Sequence, residues 1–473
     1  MKLVTALRLT LDPHRPDVVA LVGAGGKSAV LFRLAQEILA GGGRVITTTT
    51  TQIFTRQLQD APAHLRLGSG PLDWAALARA LEEHGHCLLV RAASGEKADG
   101  LSPEQVDELV RGLARRPELG VGAVVVEADG SRQRPVKAPA PHEPVLPQST
   151  TLLAPLLGLE GLGRRLAEPW VHRPQRLRAL LGVEGAEARL TPALAARLLT
   201  HPAGGAKGRR PGMAFRPILN QADNAPRLAS GRLVASLLAW EGEAALLAQA
   251  GHPDREPVRE RWGPTAAVVL AGGEGRRMGR PKQLLELAGE PLVVRAARLA
   301  LESGATQAVV VLGAQEEAIR PVLAGLAQEA GGRLRLVSNP AWAQGQSTSL
   351  RAAMQALSPG CQAVLFLPVD QPLLPVALLR RLWRLWREGH DRVAPAVAGE
   401  VRGAPAVFDR RFWPELQAVQ GDRGARDLLR GGDVASVPVP AGWLQDVDTP
   451  EQWRRLRAGM AGDSEGRGDQ PEA

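Results

Sequence analysis

The chain has 473 residues and a formal net charge of +9, from 58 lysines and arginines against 49 acidic residues. At about 100–200 residues per domain, this length predicts two or three domains. The arginines are scattered along the sequence, which is typical of a solvated surface, so the net charge is not evidence for nucleic-acid binding. A basic balance does suit phosphate-bearing ligands. Cys87 and Cys361 lie far apart, so the sequence suggests neither a disulfide framework nor a zinc site, and no apolar run reaches the ~18–20 residues of a membrane span. We therefore expect a cytoplasmic protein.

Strand-like and helix-like runs alternate along the first half, which predicts an α/β fold with a mainly parallel sheet. Strands are expected at 17–22, 44–48, 87–91 and 121–126. One helix should begin after Ser102, with Pro103 in its first turn and Gln105 completing a capping box. Another should begin at Thr191-Pro192. Residues 1–250 are therefore expected to form one α/β domain.

A glycine-rich loop, Gly23-Ala-Gly25-Gly26-Lys27-Ser28, follows the first of these strands. A helix beginning near Ser28 would aim backbone N–H groups at a phosphate, with Lys27 placed for phosphate and Ser28 for Mg²⁺. Only six lysines occur in the chain, so a compact ammonium in such a loop indicates function. The first glycine of a Walker A loop would fall at Leu21. A tight turn before a buried helix is the structural alternative.

Two later motifs favour nucleotide binding. An apolar strand ends in Glu127-Ala-Asp129-Gly130, where a metal ligand is expected, and we assign Asp129 to it. A second strand leads into Asn220-Gln-Ala-Asp223, whose spacing resembles the guanine-reading element of GTPases. The predicted nucleotide-binding residues of this half are Gly23, Gly25, Gly26, Lys27, Ser28, Asn220 and Asp223.

Two proline-rich motifs, Lys137-Ala-Pro-Ala-Pro-His142-Glu143-Pro144 and Val171-His172-Arg173-Pro174, complete this pattern. With them, residues 15–250 resemble the selenium-dependent hydroxylase accessory family (YqeC-like). The resemblance implies a P-loop-type nucleotide-binding domain that serves hydroxylase maturation. His142 and His172 could be ligands or catalytic groups, or could equally satisfy backbone groups in proline-fixed loops.

Residues 251–264 are polar and contain proline, which predicts a linker. After it, Leu270-Ala-Gly272-Gly273-Glu-Gly275-Arg-Arg277-Met-Gly279-Arg-Pro-Lys282 follows another strand-like run. Further along come a buried-strand pattern ending at Asp370-Gln371-Pro372, a turn at Gly403-Ala-Pro405, a loop at Gly421-Asp422-Arg-Gly-Ala-Arg426 and a strand-to-helix corner at Asp446-Val-Asp448-Thr-Pro450. In this order, the elements of residues 265–457 resemble the MobA-like nucleotidyltransferases, which implies a Rossmann-like α/β domain. Residues 458–473 are almost without apolar side chains, so a disordered tail is expected.

The resemblance implies in-line attack by a phosphate oxygen on the α-phosphorus of a nucleoside triphosphate. Such a nucleophile is already anionic, so charge neutralisation is the main requirement, and Lys282, Arg277 and Asp370 are the predicted catalytic residues. Mg²⁺ is expected on Asp370 and Asp448; Asp446 could instead cap the following helix. Nucleotide binding is assigned to Leu270, Ala271, Gly272, Gly273, Gly275 and Ser347.

The nucleotide base is less tightly specified. The run Asn339-Pro-Ala-Trp342-Ala-Gln-Gly345-Gln-Ser347 and Asp370-Gln371-Pro372 resemble the branch that transfers CMP from CTP to the molybdopterin-type molybdenum cofactor. Leu-Ala-Gly-Gly at 270–273 is more usual in the guanylyl members, which use GTP. The motifs also leave open a sugar-phosphate nucleotidyltransferase and a non-catalytic cofactor carrier or chaperone. The first half favours CTP, because it resembles a hydroxylase accessory protein and molybdenum hydroxylases use the cytosine dinucleotide cofactor. A molybdenum hydroxylase is therefore the expected partner.

Overall fold

The computed structural model describes residues 1–465 except 69, 186, 402, 423 and 431. The chain divides into two compact units, Met1–Gly263 and Pro264–Ala473. Both have a mixed α/β architecture with sheets rich in parallel strands. Within the described ranges, none of the helices combines the length and the apolar character needed to cross a membrane.

The first unit has fifteen strands and seven α-helices among its described residues. The strands are β1 (Asp17–Gly23), β2 (Arg44–Thr49), β3 (Gln52–Phe54), β4 (His64–Arg66), β5 (His86–Val90), β6 (Ala92–Ser94), β7 (Lys97–Asp99), β8 (Val121–Glu127), β9 (Val136–Lys137), β10 (Leu152–Gly158), β11 (Val171–His172), β12 (Ala214–Phe215), β13 (Ile218–Asn220), β14 (Ala245–Ala248) and β15 (Val258–Trp262). The helices are α1 (Leu3–Leu7), α2 (Lys27–Ala40), α3 (Trp74–His84), α4 (Pro103–Ala114), α5 (Pro174–Leu181), α6 (Pro192–Thr200) and α7 (Ala225–Trp240).

The main sheet of this unit has the order β15-β14-β13-β10-β1-β8-β2-β5-β4, and β12 also pairs with β10. All of its pairings are parallel except the one between β14 and β15. The central strands are buried along nearly their whole length, which explains their continuous apolar runs. The four strands expected from those runs are confirmed as β1, β2, β5 and β8. Their carboxyl ends therefore meet at one edge, where ligands bind in such sheets.

The two helix starts expected from the sequence are also confirmed. Ser102 caps α4 and forms the capping box with Gln105, while the Thr191 side chain accepts a hydrogen bond from the Leu194 amide at the start of α6. These signals are local, because a cap needs only residues within one turn of each other.

The linker expected at 251–264 is corrected by the structure. Residues Val258–Trp262 form β15, the antiparallel edge strand of the main sheet. Its charged residues are partnered: the Arg232 guanidinium binds Glu260, whose carboxylate also accepts a hydrogen bond from the Trp262 indole at 2.9 Å. The first unit consequently extends to Gly263.

The second unit has ten strands and six α-helices in its described part. The strands are β16 (Thr265–Ala271), β17 (Glu286–Leu287), β18 (Glu290–Pro291), β19 (Gln307–Leu312), β20 (Leu334–Ser338), β21 (Ala363–Pro368), β22 (Arg392–Val397), β23 (Glu400–Val401), β24 (Ala406–Asp409) and β25 (Ala435–Pro438). The helices are α8 (Leu292–Glu302), α9 (Glu316–Glu329), α10 (Gln346–Ala356), α11 (Val376–Arg387), α12 (Trp413–Ala418) and α13 (Pro450–Glu465).

Its main sheet has the order β20-β19-β16-β21-β24-β22-β23, with β25 paired to β22. The first four strands are parallel, so the loop after β16 and the segment after β21 leave the sheet at the same edge. The tail expected to be disordered from 458 is instead helical to Glu465 as part of α13. Residues 466–473 lie outside the described residues.

A buried histidine makes the stability of the first unit dependent on pH. His86 starts β5, is buried, and its Nε2 lies 2.8 Å from the Thr47 hydroxyl. Burial lowers the pKa of His86 from 6.5 to about 4. The unfolded chain therefore binds this proton below about pH 6.5 and the folded chain only below about pH 4, so stability falls as the pH drops through that window.

Replacing His86 by glutamine is expected to remove up to about 3 kcal/mol of this acid-induced loss. Urea unfolding at pH 7.5 and pH 4.5 measures it: the difference in unfolding free energy should shrink in His86→Gln. His84→Gln, at an exposed position of α3, is the matched control and should retain the wild-type difference. An unchanged pH dependence in His86→Gln would contradict the assignment.

Candidate functional site

The first glycine loop connects β1 to α2 and packs directly against β10. Gly25 has φ +94°, and a Cβ at this position would lie 2.2 Å from the backbone nitrogen of Gly158. Gly26 has φ +103°, and its Cβ would lie 2.7 Å from the side-chain nitrogen of Asn220. Both positions need the left-handed conformation and the absence of a side chain. The expected strand, loop and helix order is thus present, with α2 beginning at Lys27.

Lys27 is buried beside two carboxylates at the start of α2. Its Nζ donates to the Gly23 carbonyl at 2.9 Å and lies 3.3 Å from Asp129 and 3.6 Å from Glu127. The Ser28 hydroxyl donates to Glu127 at 2.9 Å. Burial disfavours the ammonium, but the two carboxylates outweigh it and raise the pKa of Lys27. A cation is therefore fixed at the loop.

Asp129, expected as a metal ligand, is placed behind the loop. Its carboxylate accepts the Gly23 amide at 3.0 Å and pairs with Lys137 at 2.9 Å. Lys137 also pairs with Glu143 at 2.9 Å, and Glu143 with Arg173 at 2.7 Å. Burial opposes ionisation of Glu143, yet hydrogen bonds from Arg173 and Lys137 lower its pKa to about 2. We call Lys27, Asp129, Lys137, Glu143 and Arg173 the buried ion-pair chain.

A cavity of about 810 Å³ opens in front of the loop. Glu127, and not Asp129, is the carboxylate of β8's end that lines this cavity. Its wall carries five cationic side chains, the imidazole of His142 and four carboxylates; the cations are Lys27, Arg56, Lys97, Arg132 and Arg134, and the carboxylates are Asp60, Glu127, Glu143 and Glu160. Such a lining suits a phosphate-bearing ligand, and the volume falls within the roughly 300–1,000 Å³ of small-molecule sites.

The two residues expected to read a base are not on this wall. Asn220 is buried, donates to the Gly25 carbonyl at 2.8 Å and accepts the Ala250 amide at 3.1 Å. Asp223 is paired with Arg227 at 3.0 Å. Asn220 thus fixes the glycine loop, and Gln221 between them lines the cavity.

His142 and His172 have different environments in the structure. His142 is exposed at the cavity wall, whereas His172 lies in the short strand β11, which pairs with β9. Burial and the neighbouring Arg173 and Lys137 lower the pKa of His172 to about 4. A neutral imidazole at this position suits a structural role next to the buried ion-pair chain.

Three non-glycine residues with positive φ line the same cavity. Arg132 and Gln133 have φ +49° and +59°, and Gln221 has φ +69°. These residues all line the cavity, and left-handed conformations cost of order 1–3 kcal/mol each at non-glycine residues. Strain of this kind persists where surrounding structure imposes it, commonly at ligand sites.

The second glycine loop follows β16, and hydrogen bonds to its carbonyl groups fix its conformation. The buried Gln283 side chain donates to the Ala271 carbonyl at 2.9 Å and to the Gly273 carbonyl at 2.7 Å. The Ala314 amide donates to the Gly272 carbonyl at 3.1 Å. With its carbonyls turned to these donors, the loop has a defined path between β16 and Lys282. Gln283 was missed by sequence reasoning, although its position beside one of the six lysines could have indicated it.

Lys282 joins the two carboxylates that the sequence assigned to a metal. Its Nζ lies 2.6 Å from Asp370 Oδ2 and 2.6 Å from Asp448 Oδ1. Burial lowers the pKa of the Lys282 ammonium, but Asp370 and Asp448 more than compensate and raise it. The Val447 amide donates to the Asp370 carbonyl at 2.9 Å, which holds the two segments together. Three predicted site residues from distant parts of the sequence therefore meet.

Asp446 has a different environment from Asp448. It accepts a hydrogen bond from the Gln371 side chain at 3.0 Å, and burial raises its pKa. Its proposed capping role is wrong: Thr449 caps the α13 start, because its hydroxyl accepts the Gln452 amide at 3.2 Å. The corner is also not entered from a strand, since a 3₁₀ turn, Ala441–Leu444, precedes it.

Asp446 and Gln371 line a second cavity, of about 670 Å³, in this unit. Its apolar wall includes Leu350, Phe366 and Phe408. From the predicted nucleotide-binding set, Leu270 lies on this wall, and Arg426 adds a cation.

Three predicted residues of this unit remain, Ser347, Gly275 and Arg277. Ser347 is buried in the first turn of α10, and its amide donates to the Gly421 carbonyl at 3.1 Å. Gly275 has φ +71°, and Arg277 is exposed in the 3₁₀ turn Arg276–Met278. Among the described residues, no group of three or more His, Cys, Asp or Glu side chains could hold a metal ion. A divalent ion on Asp370 and Asp448 would therefore need ligands from substrate phosphate and water, as Mg²⁺ commonly takes.

Comparison with known proteins assigns both units. Residues 19–175 match the family model for the YqeC protein, and residues 267–437 match that for the MobA-like NTP transferase domain. Over 193 residues the chain is 35% identical to YqeC of Escherichia coli (strain K12), covering 41% of this chain and 71% of that protein. The chain belongs to the YqeC family. Its second unit carries a MobA-like NTP transferase domain.

Two relatives of this transferase domain carry names that denote different functions. The chain is 34% identical to nicotine blue oxidoreductase of Paenarthrobacter nicotinovorans, over 40% of this chain and 94% of that protein. It is 35% identical to the "Probable molybdenum cofactor guanylyltransferase" of Opitutus terrae, over 41% of this chain and 94% of that protein. The YqeC-family chain has a nucleotidyltransferase domain. Because the two relatives differ in function, their names do not identify its substrates.

Proposed function

We propose that the transferase unit moves CMP from CTP to the phosphate of a molybdopterin-type molybdenum cofactor, with release of pyrophosphate. The meeting of Lys282, Asp370 and Asp448 beside the glycine loop carries this proposal. An ammonium at that position can bind the triphosphate and the charge that develops on it. The acceptor phosphate is already anionic, so the site needs no general base.

Asp370 and Asp448 fit a divalent metal ion, which we propose to be Mg²⁺. Both carboxylates are partly exposed and face the same Lys282 ammonium, so they present oxygen ligands with one compensating cation. When bound, Mg²⁺ would supply charge neutralisation of the triphosphate. Lys282 would then shift its contacts from the carboxylates to phosphate oxygens.

The second cavity is the proposed acceptor site. Aromatic and aliphatic side chains on its wall suit a flat, partly apolar pterin, and Arg426 suits its phosphate. Gln371 and Asp446 lie on the same wall, where the amide can donate and accept hydrogen bonds and the carboxylate can accept them. Both groups are suited to reading the edge of a pterin ring.

GTP is the alternative donor. It is supported by Leu-Ala-Gly-Gly at 270–273 and by the guanylyltransferase name of one relative. CTP is supported by the sequence around Ser347 and by the YqeC unit, whose resemblance points to hydroxylase maturation with a molybdenum hydroxylase as partner.

Incubation with each of the four triphosphates and the molybdenum cofactor tests the reaction. The expected result is pyrophosphate release that requires CTP and the cofactor, with a cytosine dinucleotide product identified by mass. A guanine dinucleotide would establish GTP as the donor. Stoichiometric cofactor binding without pyrophosphate would indicate a carrier or chaperone instead.

For the YqeC unit we propose nucleotide binding in the P-loop manner. Lys27, Ser28 and Glu127 would bind phosphate and its metal ion, since all of them line the first cavity. Asp129 would act from behind, by holding Lys27 and the Gly23 amide.

Lys27→Ala is expected to weaken nucleotide binding by this unit about ten- to a hundredfold, because it removes a hydrogen bond from a charged group worth about 1.5–3 kcal/mol. Calorimetric titration of the full chain should show one binding event weakened, while the rate of pyrophosphate formation stays unchanged. Lys2→Ala, at an exposed position, is the control. If Lys27→Ala remains folded and changes no binding event, the glycine loop is only a turn.

A further inference from the structure

A small antiparallel sheet, ordered β3-β7-β6, contributes to the wall of the first cavity. Phe54 ends β3 and is 38% exposed on this wall, although large aromatic side chains are usually well buried. The Arg56 guanidinium carbon lies 5.0 Å from the centre of the Phe54 ring. An aromatic ring and a guanidinium plane are the two protein groups on which nucleobases stack.

The cavity has groups that can bind phosphate, but the two residues expected to recognise the base do not line it. Lys27 and Ser28 provide the phosphate end, whereas Asn220 is occupied by the loop and Asp223 by Arg227. Phe54 is the exposed phenyl ring among the side chains described on this wall, which also carries the smaller imidazole ring of His142. A volume of about 810 Å³ can enclose both a triphosphate and its base.

We propose that Phe54, with Arg56, is the platform on which the base of the bound nucleotide stacks. This inference rests on the proposed nucleotide binding by the YqeC unit. Because every base has a π face, stacking tolerates different bases. The unit is therefore a nucleotide site with little base selectivity, unlike the transferase unit.

The test compares nucleoside triphosphates with inorganic tripolyphosphate, which has no base, on the full-length protein. The event measured is the one that Lys27→Ala weakens. Phe54→Ala should reduce ATP, GTP and CTP affinity about 5- to 100-fold, the effect of losing one stacked base, and leave tripolyphosphate affinity unchanged. Phe54→Trp should retain wild-type affinity. Leu233→Ala, on the exposed face of α7, is the matched control.

Several outcomes overturn the platform. They are equal losses for tripolyphosphate and nucleotides, Phe54→Trp binding as weakly as Phe54→Ala, or a wild-type preference for one base above about tenfold. If Lys27→Ala weakens no event in a folded protein, nucleotide binding by the unit fails first, and the platform fails with it. If Lys27→Ala weakens ATP binding and Phe54→Ala does not, the platform is overturned while nucleotide binding by the unit stands.

Discussion

Asp370→Asn is expected to reduce pyrophosphate formation by a factor of about a hundred or more while the protein stays folded. The exchange keeps the shape of the side chain and removes its charge, so Lys282 and a bound Mg²⁺ each lose a ligand worth several kcal/mol in the transition state. Asp370 is partly exposed, so little core stability depends on it. Release of pyrophosphate at saturating CTP and cofactor is the measurement.

Asp433→Asn is the matched control, since Asp433 is exposed and lies outside the second cavity's described lining. It should keep wild-type turnover. The metal dependence should also differ: the Mg²⁺ concentration for half-maximal rate should rise in Asp370→Asn and stay constant in Asp433→Asn. Wild-type turnover in Asp370→Asn would remove Asp370 from the reaction.

Lys137→Met is expected to destabilise the YqeC unit by about 3–5 kcal/mol, the usual effect of removing one partner from a buried ion pair. The Lys137 side chain is 1% exposed, pairs with Asp129 and Glu143, and donates to the Gly130 carbonyl at 2.6 Å. Methionine of similar volume would leave the two carboxylates buried without this cation. Such a loss is a large part of the roughly 5–15 kcal/mol that stabilises a domain.

Calorimetric unfolding of the full chain at pH 7 measures this loss. Adding Glu143→Gln to Lys137→Met should restore part of the stability, because one uncompensated charge is removed. Lys2→Met should leave the transition unchanged, since Lys2 is exposed. A Lys137→Met protein as stable as wild type would show that the buried ion-pair chain contributes little.

The rarity of lysine is a sequence signal for both sites. It singles out Lys27 and Lys282, both of which meet carboxylates in the structure. The same signal applies to Lys137, which shares a proline-rich motif with its partner Glu143. The other partner, Asp129, is expected from the sequence to bind a metal because a strand-end carboxylate faces a ligand in many such sheets. In this fold its Oδ2 is engaged by Lys137 and the Gly23 amide, and its Oδ1 faces the Lys27 ammonium at 3.3 Å instead.

The sequence by itself determined what depends on neighbouring residues. The buried strands β1, β2, β5 and β8, the cap at Ser102 and the two glycine loops each have a signal within about ten residues, because periodicity, capping and positive φ are local properties. The family resemblance of both units also rests on such local motifs.

Only the tertiary structure decided which distant groups share a site. It brought Asp370 and Asp448 to Lys282, bound Asn220 to the first glycine loop and placed Phe54 on the cavity wall. It also made β15 a strand, although the composition of this segment is that of a linker. Its backbone pairs with β14, and the buried Glu260 carboxylate is paired with Arg232. The physical reason is the same in each case: hydrogen bonds and ion pairs between residues far apart in the chain exist only once the sheet has ordered its strands.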